Sequence, residues 1–269
     1  MGTASTCQQH ISLPSFPRLS QLEIWNCCKL TCMPLFPYLE ERLSLNNASL
    51  KPLQQTMAMT MNTAETSSLP SSSSLPLSKL KHLFLCKVES LPMPEEWVQN
   101  LTLLERLVIS ECPTLTSLSR FMQHLTSLKD LTIWNCEEVD LFSDVDDDGS
   151  ESQRPTSTCL QSLTFGRISK LEALPAYLQH VTTLQHLSIS QCPSFTTLPE
   201  WLDNLTSLHS LVIIECPNLT SLPEGTRHLS SLQTLRIINC PHLEQRCQKE
   251  IGEDWPKIAH VPKYTNSWN

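Results

Sequence analysis

The sequence predicts an α/β solenoid built from stacked strand–turn repeats. Two observations carry this prediction: an apolar pattern that recurs every 24 residues, and a constant turn sequence after each predicted strand. The 269 residues are 40% hydrophobic and 17% charged, which is enough to bury a sizeable core. Repetition at such a period is typical of architectures in which each unit packs only against its neighbours.

The repeat is clearest in residues 104–115 and 208–219, which share the pattern Leu-x-x-Leu-x-Ile-x-x-Cys-Pro-x-Leu. Copies start at positions 80, 104 and 128 and again at 160, 184, 208 and 232, so one repeat carries an eight-residue insertion. Two apolar positions of each copy fall on one face of a short strand, and a single strand cannot bury that face. Stacking predicts a leucine-rich-repeat horseshoe, with a parallel sheet on the concave face and short helical turns or loops on the convex face.

The period also predicts the organisation of the chain. We expect one domain over residues 1–269 with about eight or nine repeats, because the regular copies leave only short irregular stretches. Its parts are ragged repeats at 15–65, a Ser/Pro/Leu-rich loop at 66–78, regular repeats at 80–243 with an acidic insertion at 144–153, a C-terminal cap at 244–262 and a tail at 263–269.

Two columns of side chains recur at the repeat spacing, and both are interpreted as packing. The cysteines lie three residues after the Ile of their repeats, whereas zinc ligands are typically two to four residues apart. We expect a buried ladder whose S–H groups meet backbone carbonyls. The cysteines are Cys112, Cys136, Cys192, Cys216 and Cys240, and the convex-side aromatics are Trp97, Phe121, Tyr177 and Trp201.

Composition and motifs exclude several function classes. The formal net charge is −8, with 19 Lys and Arg against 27 Asp and Glu, so we expect no nucleic-acid partner. We expect no membrane insertion either, since no apolar run reaches about 18 residues. The sequence lacks a signal-peptide pattern, which predicts a cytoplasmic protein, with the nucleus also compatible, and reduced thiols. It contains no phosphate loop and no catalytic motif, so we predict no enzyme activity, no cofactor and no metal.

One alternative to the absence of metal stays open. The segment 144–149 matches the first half of a calcium-binding EF-hand loop, but the twelfth position is Pro155 instead of a bidentate Glu. A solvated acidic loop over 144–151 is the default interpretation, and calcium binding is the alternative.

The predicted binding surface is the concave face. Residues between and beside the aliphatic core positions point to this face, and they vary from repeat to repeat while the core columns stay constant. Aromatic, aliphatic and Arg side chains without a core role are typical anchors of interfaces. The candidate protein-binding residues are Trp25, Phe84, Arg106, Val108, Glu111, Trp134, Ile214, Glu215, Arg236 and Ile238.

The repeat form, together with the segments 240–247 and 252–262, resembles the C-terminal repeats of plant coiled-coil-type NLR disease-resistance proteins. The resemblance spans about residues 15–262 and implies a recognition module of plant innate immunity. Its implied partners are a pathogen effector, a guarded host protein or an NLR nucleotide-binding domain. The sequence lacks that family's nucleotide-binding module, so nucleotide-driven switching is not implied.

Two other functions remain as alternatives. The repeats of F-box substrate-recognition subunits of ubiquitin ligases also contain Cys, but the region before Leu80 does not resemble an F-box. Extracellular plant receptors use a Gly-containing repeat and paired Cys caps, whereas this chain has five Gly and no signal-peptide pattern.

Overall fold

The computed structural model describes residues 15–62, 75–89, 95–115, 122, 124–137, 139 and 159–267. The described residues form a single ten-stranded parallel sheet in which the strands are paired in chain order. The strands are β1 (Gln21–Trp25), β2 (Arg42–Asn46), β3 (His82–Cys86), β4 (Arg106–Ser110), β5 (Asp130–Trp134), β6 (Ser162–Gly166), β7 (His186–Ser190), β8 (Ser210–Ile214), β9 (Thr234–Ile238) and β10 (Lys263–Asn266). The predicted leucine-rich-repeat solenoid is confirmed.

The register of the sheet places equivalent core residues beside each other. Leu107 of β4 lies opposite Leu131 of β5, and Ile109 lies opposite Ile133. All four side chains are at most 3% exposed, because alternate positions of a strand point to the same side. With adjacent strands about 4.8 Å apart, the ten strands form a continuous apolar layer roughly 43 Å long.

The side of the core away from the sheet is covered by short helices. Helix α2 (Glu95–Val98) and three 3₁₀ helices at Ala176–His180, Glu200–Asn204 and Glu224–His228 occupy the convex position of successive repeats. Trp97, Tyr177 and Trp201 are partly buried against the core from this side, which confirms their predicted packing role. Phe121 lies outside the described residues.

The N-terminal region contains a helix that the repeat pattern does not predict. Helix α1 (Lys51–Asn62) begins shortly after β2, inside the segment predicted as ragged repeats. Leu53 and Met57 are four residues apart on one face of this helix, and both are buried in the core. Between them Thr56 is fully buried, and its hydroxyl donates a hydrogen bond to the Pro52 carbonyl at 3.0 Å.

Only the end of the predicted Ser/Pro/Leu-rich loop is described. Leu75 is exposed, but Pro76 and Leu77 are buried, and the Leu77 amide donates to the Pro37 carbonyl at 2.9 Å. This end of the loop is therefore packed into the core, although a Ser- and Pro-rich loop is expected to lie on the surface. Residues 66–74 of this loop and the acidic insertion at 144–153 lie outside the described residues.

The C-terminal end is closed by α3 (Pro241–Arg246), α4 (Trp255–Ile258) and β10. Lys263 of β10 pairs with Thr234 of β9, so the segment predicted as a tail is the last strand of the sheet. It pairs because the outer edge of β9 offers free N–H and C=O groups, which attract a further strand whatever its side chains.

Candidate binding surface

The concave face consists of the first, third and fifth residues of each strand. On β2–β9 the second and fourth residues are buried, whereas the face positions range from buried to exposed. On the two outer strands the second residue, Leu22 of β1 or Tyr264 of β10, is half-buried. The sequence assigned most of these positions correctly. Phe84, Val108, Trp134, Ile214 and Ile238 are half-buried on this face, and Arg106 and Arg236 are exposed.

Trp25 is the most exposed of the predicted apolar anchors. Its side chain on β1 is 56% exposed, and its indole N–H donates to the Glu23 carboxylate at 3.3 Å. The other large apolar members of the face are half-buried, because neighbouring strands cover their flanks. Trp25 therefore offers the largest apolar area of the predicted set at the β1 end of the sheet.

Trp134 lies across the adjacent strand instead of projecting freely. Gly166 of β6 is its partner in the register, and a Cβ atom added to Gly166 would lie 2.0 Å from Cε3 of the Trp134 ring. That distance is far below van der Waals contact, so only Gly leaves room for the ring in this position. Glycine at 166 and tryptophan at 134 together make a flat aromatic patch on the face.

A row of residues in the left-handed conformation borders the face. The residue after each of β1–β9 has a φ between 47° and 56°. After β1–β8 its amide extends the ladder to the next strand, as in the 2.8 Å bond from Glu111 N to Trp134 O, whereas the Asn239 amide donates to the Ser267 hydroxyl at 3.1 Å. We call these the left-handed row: Asn26, Asn47, Lys87, Glu111, Asn135, Arg167, Gln191, Glu215 and Asn239. Glu111 and Glu215, predicted as face residues, therefore lie at its border.

Side chains of the left-handed row bind each other across the repeats. Arg167 Nε donates to Gln191 Oε1 at 2.6 Å, and Gln191 Nε2 donates to Glu215 Oε2 at 2.8 Å. Lys87 and Glu111 form an ion pair at 3.4 Å. An open depression of about 500 Å³ runs along the row from Arg167 to Asn239. The border is therefore a polar rim beside a more apolar face.

The cysteine ladder is part of the core, as predicted. All five cysteines are fully buried, and each Sγ donates to the carbonyl two residues earlier, at 3.2 Å for Cys112 and 3.4 Å for Cys192. Burial raises the pKa of the Cys112 thiol to about 11 and also raises the pKa of Cys136 and Cys192. The thiols of Cys112, Cys136 and Cys192 are therefore protonated at neutral pH.

A buried polar cluster around Asp254 stabilises the C-terminal cap. Asp254 has no exposed surface, and its carboxylate accepts the Leu222 amide at 2.9 Å, Arg246 Nε at 3.1 Å and Lys257 Nζ at 3.0 Å. Burial alone would raise the pKa of Asp254, but the bonds from Arg246, Leu222 and Lys257 hold it below its usual value. Gly252 is required here, since an added Cβ would lie 2.1 Å from the Arg246 carbonyl oxygen.

Within the described ranges, no group of three or more His, Cys, Asp or Glu residues could hold a metal ion. No described helix combines the length and the apolarity that a membrane span needs. The candidate calcium loop at 144–151 lies outside the described residues, so calcium binding there stays an alternative prediction.

Comparisons with known proteins agree with this architecture. Residues 85–217, just under half of the chain, match the family model for leucine-rich repeats of plant disease-resistance proteins similar to RPS2. The leucine-rich-repeat domain of the type III effector XopL is 21% identical, with a TM-score of 0.53 over 71% of this chain and 70% of that domain. Internalin C2 from Listeria monocytogenes is 17% identical, with a TM-score of 0.45 over 71% of this chain and 73% of its own.

A search of curated protein sequences finds no significant match. The structural likenesses are too distant in sequence to carry more than the fold, and the family model covers the central repeats. Repeat period, parallel register, buried cysteine ladder and family match agree on one identification: the chain is a leucine-rich-repeat solenoid.

Proposed function

We propose that this protein is a protein-recognition module of plant innate immunity that binds its partners on the concave face. The observation that carries the proposal is the face itself, which presents Trp25, Trp134, Ile214 and Ile238 on strands whose core side is already filled. Large apolar side chains in such positions do not stabilise the core, and they are typical anchors of protein interfaces.

The immune role is supported by two observations. The central repeats match the family model from plant disease-resistance proteins. The C-terminal segment that resembles NLR receptors forms a compact cap around Asp254, so the resemblance lies in an ordered part of the fold. The partners we propose are a pathogen effector, a guarded host protein or the nucleotide-binding domain of an NLR, met in the cytoplasm or nucleus. Binding, and not catalysis, is the proposed activity.

Capture of defined candidates tests this proposal. The immobilised protein is offered candidate effectors, NLR nucleotide-binding domains and, as a competitor class, the adaptor of F-box ubiquitin ligases. Thr164→Arg and Ser188→Arg place a long cation on the face, and Ala176→Arg places the same side chain on a convex 3₁₀ helix.

We expect the two face variants to lose capture by about tenfold or more, which corresponds to about 1.4 kcal/mol, while Ala176→Arg binds normally. Capture that is unaffected by the face variants would contradict the proposed surface. Selective capture of the ligase adaptor would contradict the immune role and favour the F-box alternative.

A further inference from the structure

The two halves of the concave face differ in how their charges are balanced. On β1–β5, each arginine has an acidic neighbour: Arg42 Nη1 lies 3.7 Å from Glu23, and Arg106 Nη2 lies 3.0 Å from Asp130. Arg42 also lies over the ring of Phe84, with 5.1 Å between the guanidinium carbon and the ring centroid. Both arginines of this half are therefore already paired with carboxylates of the same chain.

On β6–β10 the face positions include no Asp or Glu at all. They include Arg236 on β9 and Lys263 on β10, both exposed. Neither side chain forms an ion pair or hydrogen bond with any residue that the structure describes. On a chain with a net charge of −8, this half presents two positive charges without internal partners.

The register brings these two cations together. Lys263 lies opposite Thr234, and Arg236 lies opposite Thr265, so the cations are diagonal neighbours on adjacent strands. Strand spacing and rise place their Cα atoms about 8 Å apart. Carboxylates two residues apart in an extended peptide project from the same side and can reach both cations, and the hydroxyls of Thr234 and Thr265 complete a polar surface for them.

An apolar strip lies beside the two cations. Val212, Ile214 and Ile238 are half-buried on β8 and β9, and the ring of Trp134 covers Gly166 further along the face. The polar rim formed by Gln191 and Glu215 borders this strip. A ligand for this half therefore needs negative charge at one end and apolar side chains along its length.

We propose that the β6–β10 half of the concave face binds an extended acidic segment of a partner protein. Its carboxylates pair with Arg236 and Lys263, and its apolar side chains pack on Ile214, Ile238 and the Trp134 ring. From β6 to β10 the face is about 19 Å wide, which an extended segment of about six residues spans. This inference rests on the proposed recognition function and names the chemistry of the partner.

The test uses fluorescent peptides of about eight residues, long enough to span this half of the face. In an extended peptide, residues 1, 3, 5 and 7 point to the same side, so each peptide carries Leu at positions 5 and 7 and Ser at the even positions. Positions 1 and 3 are Asp in the first peptide (Asp–Leu), Lys in the second (Lys–Leu) and Ser in the third (Ser–Leu). Binding to the full chain is followed by fluorescence anisotropy at low and high salt. Arg236→Gln and Lys263→Gln remove the unpaired cations, and Arg106→Gln is the matched control, an exposed arginine of the same face that is paired with Asp130.

We expect the Asp–Leu peptide to bind with the highest affinity, and we expect this affinity to fall as the salt concentration rises. Arg236→Gln and Lys263→Gln should each weaken it by about fivefold to tenfold, and Arg106→Gln by less than about twofold. Arg236→Glu should shift the preference towards the Lys–Leu peptide.

Equal affinity for the acidic and basic peptides, an equal effect of Arg106→Gln and Arg236→Gln, or no binding of the acidic peptide by folded protein would each overturn the inference. A failure of this inference can be distinguished from a failure of the proposed recognition function. If Thr164→Arg and Ser188→Arg reduce partner capture but the acidic peptide does not bind, the recognition function stands and only the proposed ligand chemistry is wrong.

Discussion

The ring of Trp134 occupies the space that a side chain at position 166 would fill, and Gly166 leaves that space open. The two residues are register partners on β5 and β6, so the ring bridges two repeats across the concave face. In the sequence, the eight-residue insertion falls between these two strands.

Gly166→Ala tests this relationship. The added methyl group must displace the Trp134 ring, and we expect the free energy of unfolding to fall by about 1–3 kcal/mol. In a Trp134→Leu background the clash is absent, so the same substitution should cost much less. Urea unfolding of the four proteins of this double-mutant cycle gives the coupling energy. An equal loss in both backgrounds would show that Gly166 serves the backbone and not the ring.

Residues of the left-handed row should tolerate substitution by Gly better than substitution by a β-branched residue. Glu215 has a φ of 54°, where β-branched residues are strained, so we expect Glu215→Val to lower the free energy of unfolding by about 1–2 kcal/mol. Glu215→Gly should be close to neutral, because relief of backbone strain offsets the lost hydrogen bond from Gln191. Thr220→Val, at an exposed position outside the row, is the control. Equal effects of the Val and Gly variants would contradict the strain argument.

The cysteine ladder predicts selective thiol reactivity. With the pKa of Cys112 at about 11, only about one thiol in a thousand is ionised at pH 8, and burial blocks access as well. Alkylation of the native protein followed by peptide mass spectrometry should label the exposed Cys27, Cys28, Cys32 and Cys159 and leave the ladder unlabelled. In urea all should react. Rapid labelling of Cys112 or Cys192 in folded protein would contradict their core role.

Asp254 predicts a pH dependence of cap stability. Its pKa in the folded protein lies below the unfolded value of 3.8, so its stabilising contribution is complete above about pH 4 and is lost as the pH falls through the folded pKa. Asp254→Asn should remove this part of the acid dependence and cost about 3 kcal/mol at neutral pH, because Arg246 and Lys257 lose their buried partner.

The control for that variant is Glu253→Gln, which changes the exposed partner of Arg246 and should cost less than about 1 kcal/mol. Unfolding is followed by circular dichroism between pH 3 and pH 7. Parallel pH profiles for the native protein and Asp254→Asn would show that other carboxylates control acid unfolding.

The sequence predicted the features that repeat and missed those that occur once. Seven copies in register were enough to place the sheet, the cysteine ladder and the convex aromatics. Helix α1 was missed because its core contacts, Leu53 and Met57, lie in a region where the strand repeat is degenerate. Strand β10 lacks the apolar pattern altogether, and it forms through backbone pairing with β9.

For the binding surface, the pattern identified which positions face outward but not how those side chains interact. Trp134 was predicted to contact a partner. The repeat starts at 128 and 160 already make Gly166 its equivalent in the next repeat, but the side-chain conformation that lays the ring over Gly166 is seen only in the structure. Lys263 was missed because β10 was missed. The position of this second cation next to Arg236 could therefore not be predicted. Interactions across repeats depend on side-chain conformations, which the repeat pattern does not determine.

Site-specific photocrosslinking tests the central claim, that partners bind on the concave face. A benzophenone amino acid is placed at Val212 on β8 or at Ala176 on a convex 3₁₀ helix, and each protein is irradiated with a captured partner. We expect a covalent adduct from position 212 and none from position 176. Adducts from position 176 with none from position 212 would contradict the claim.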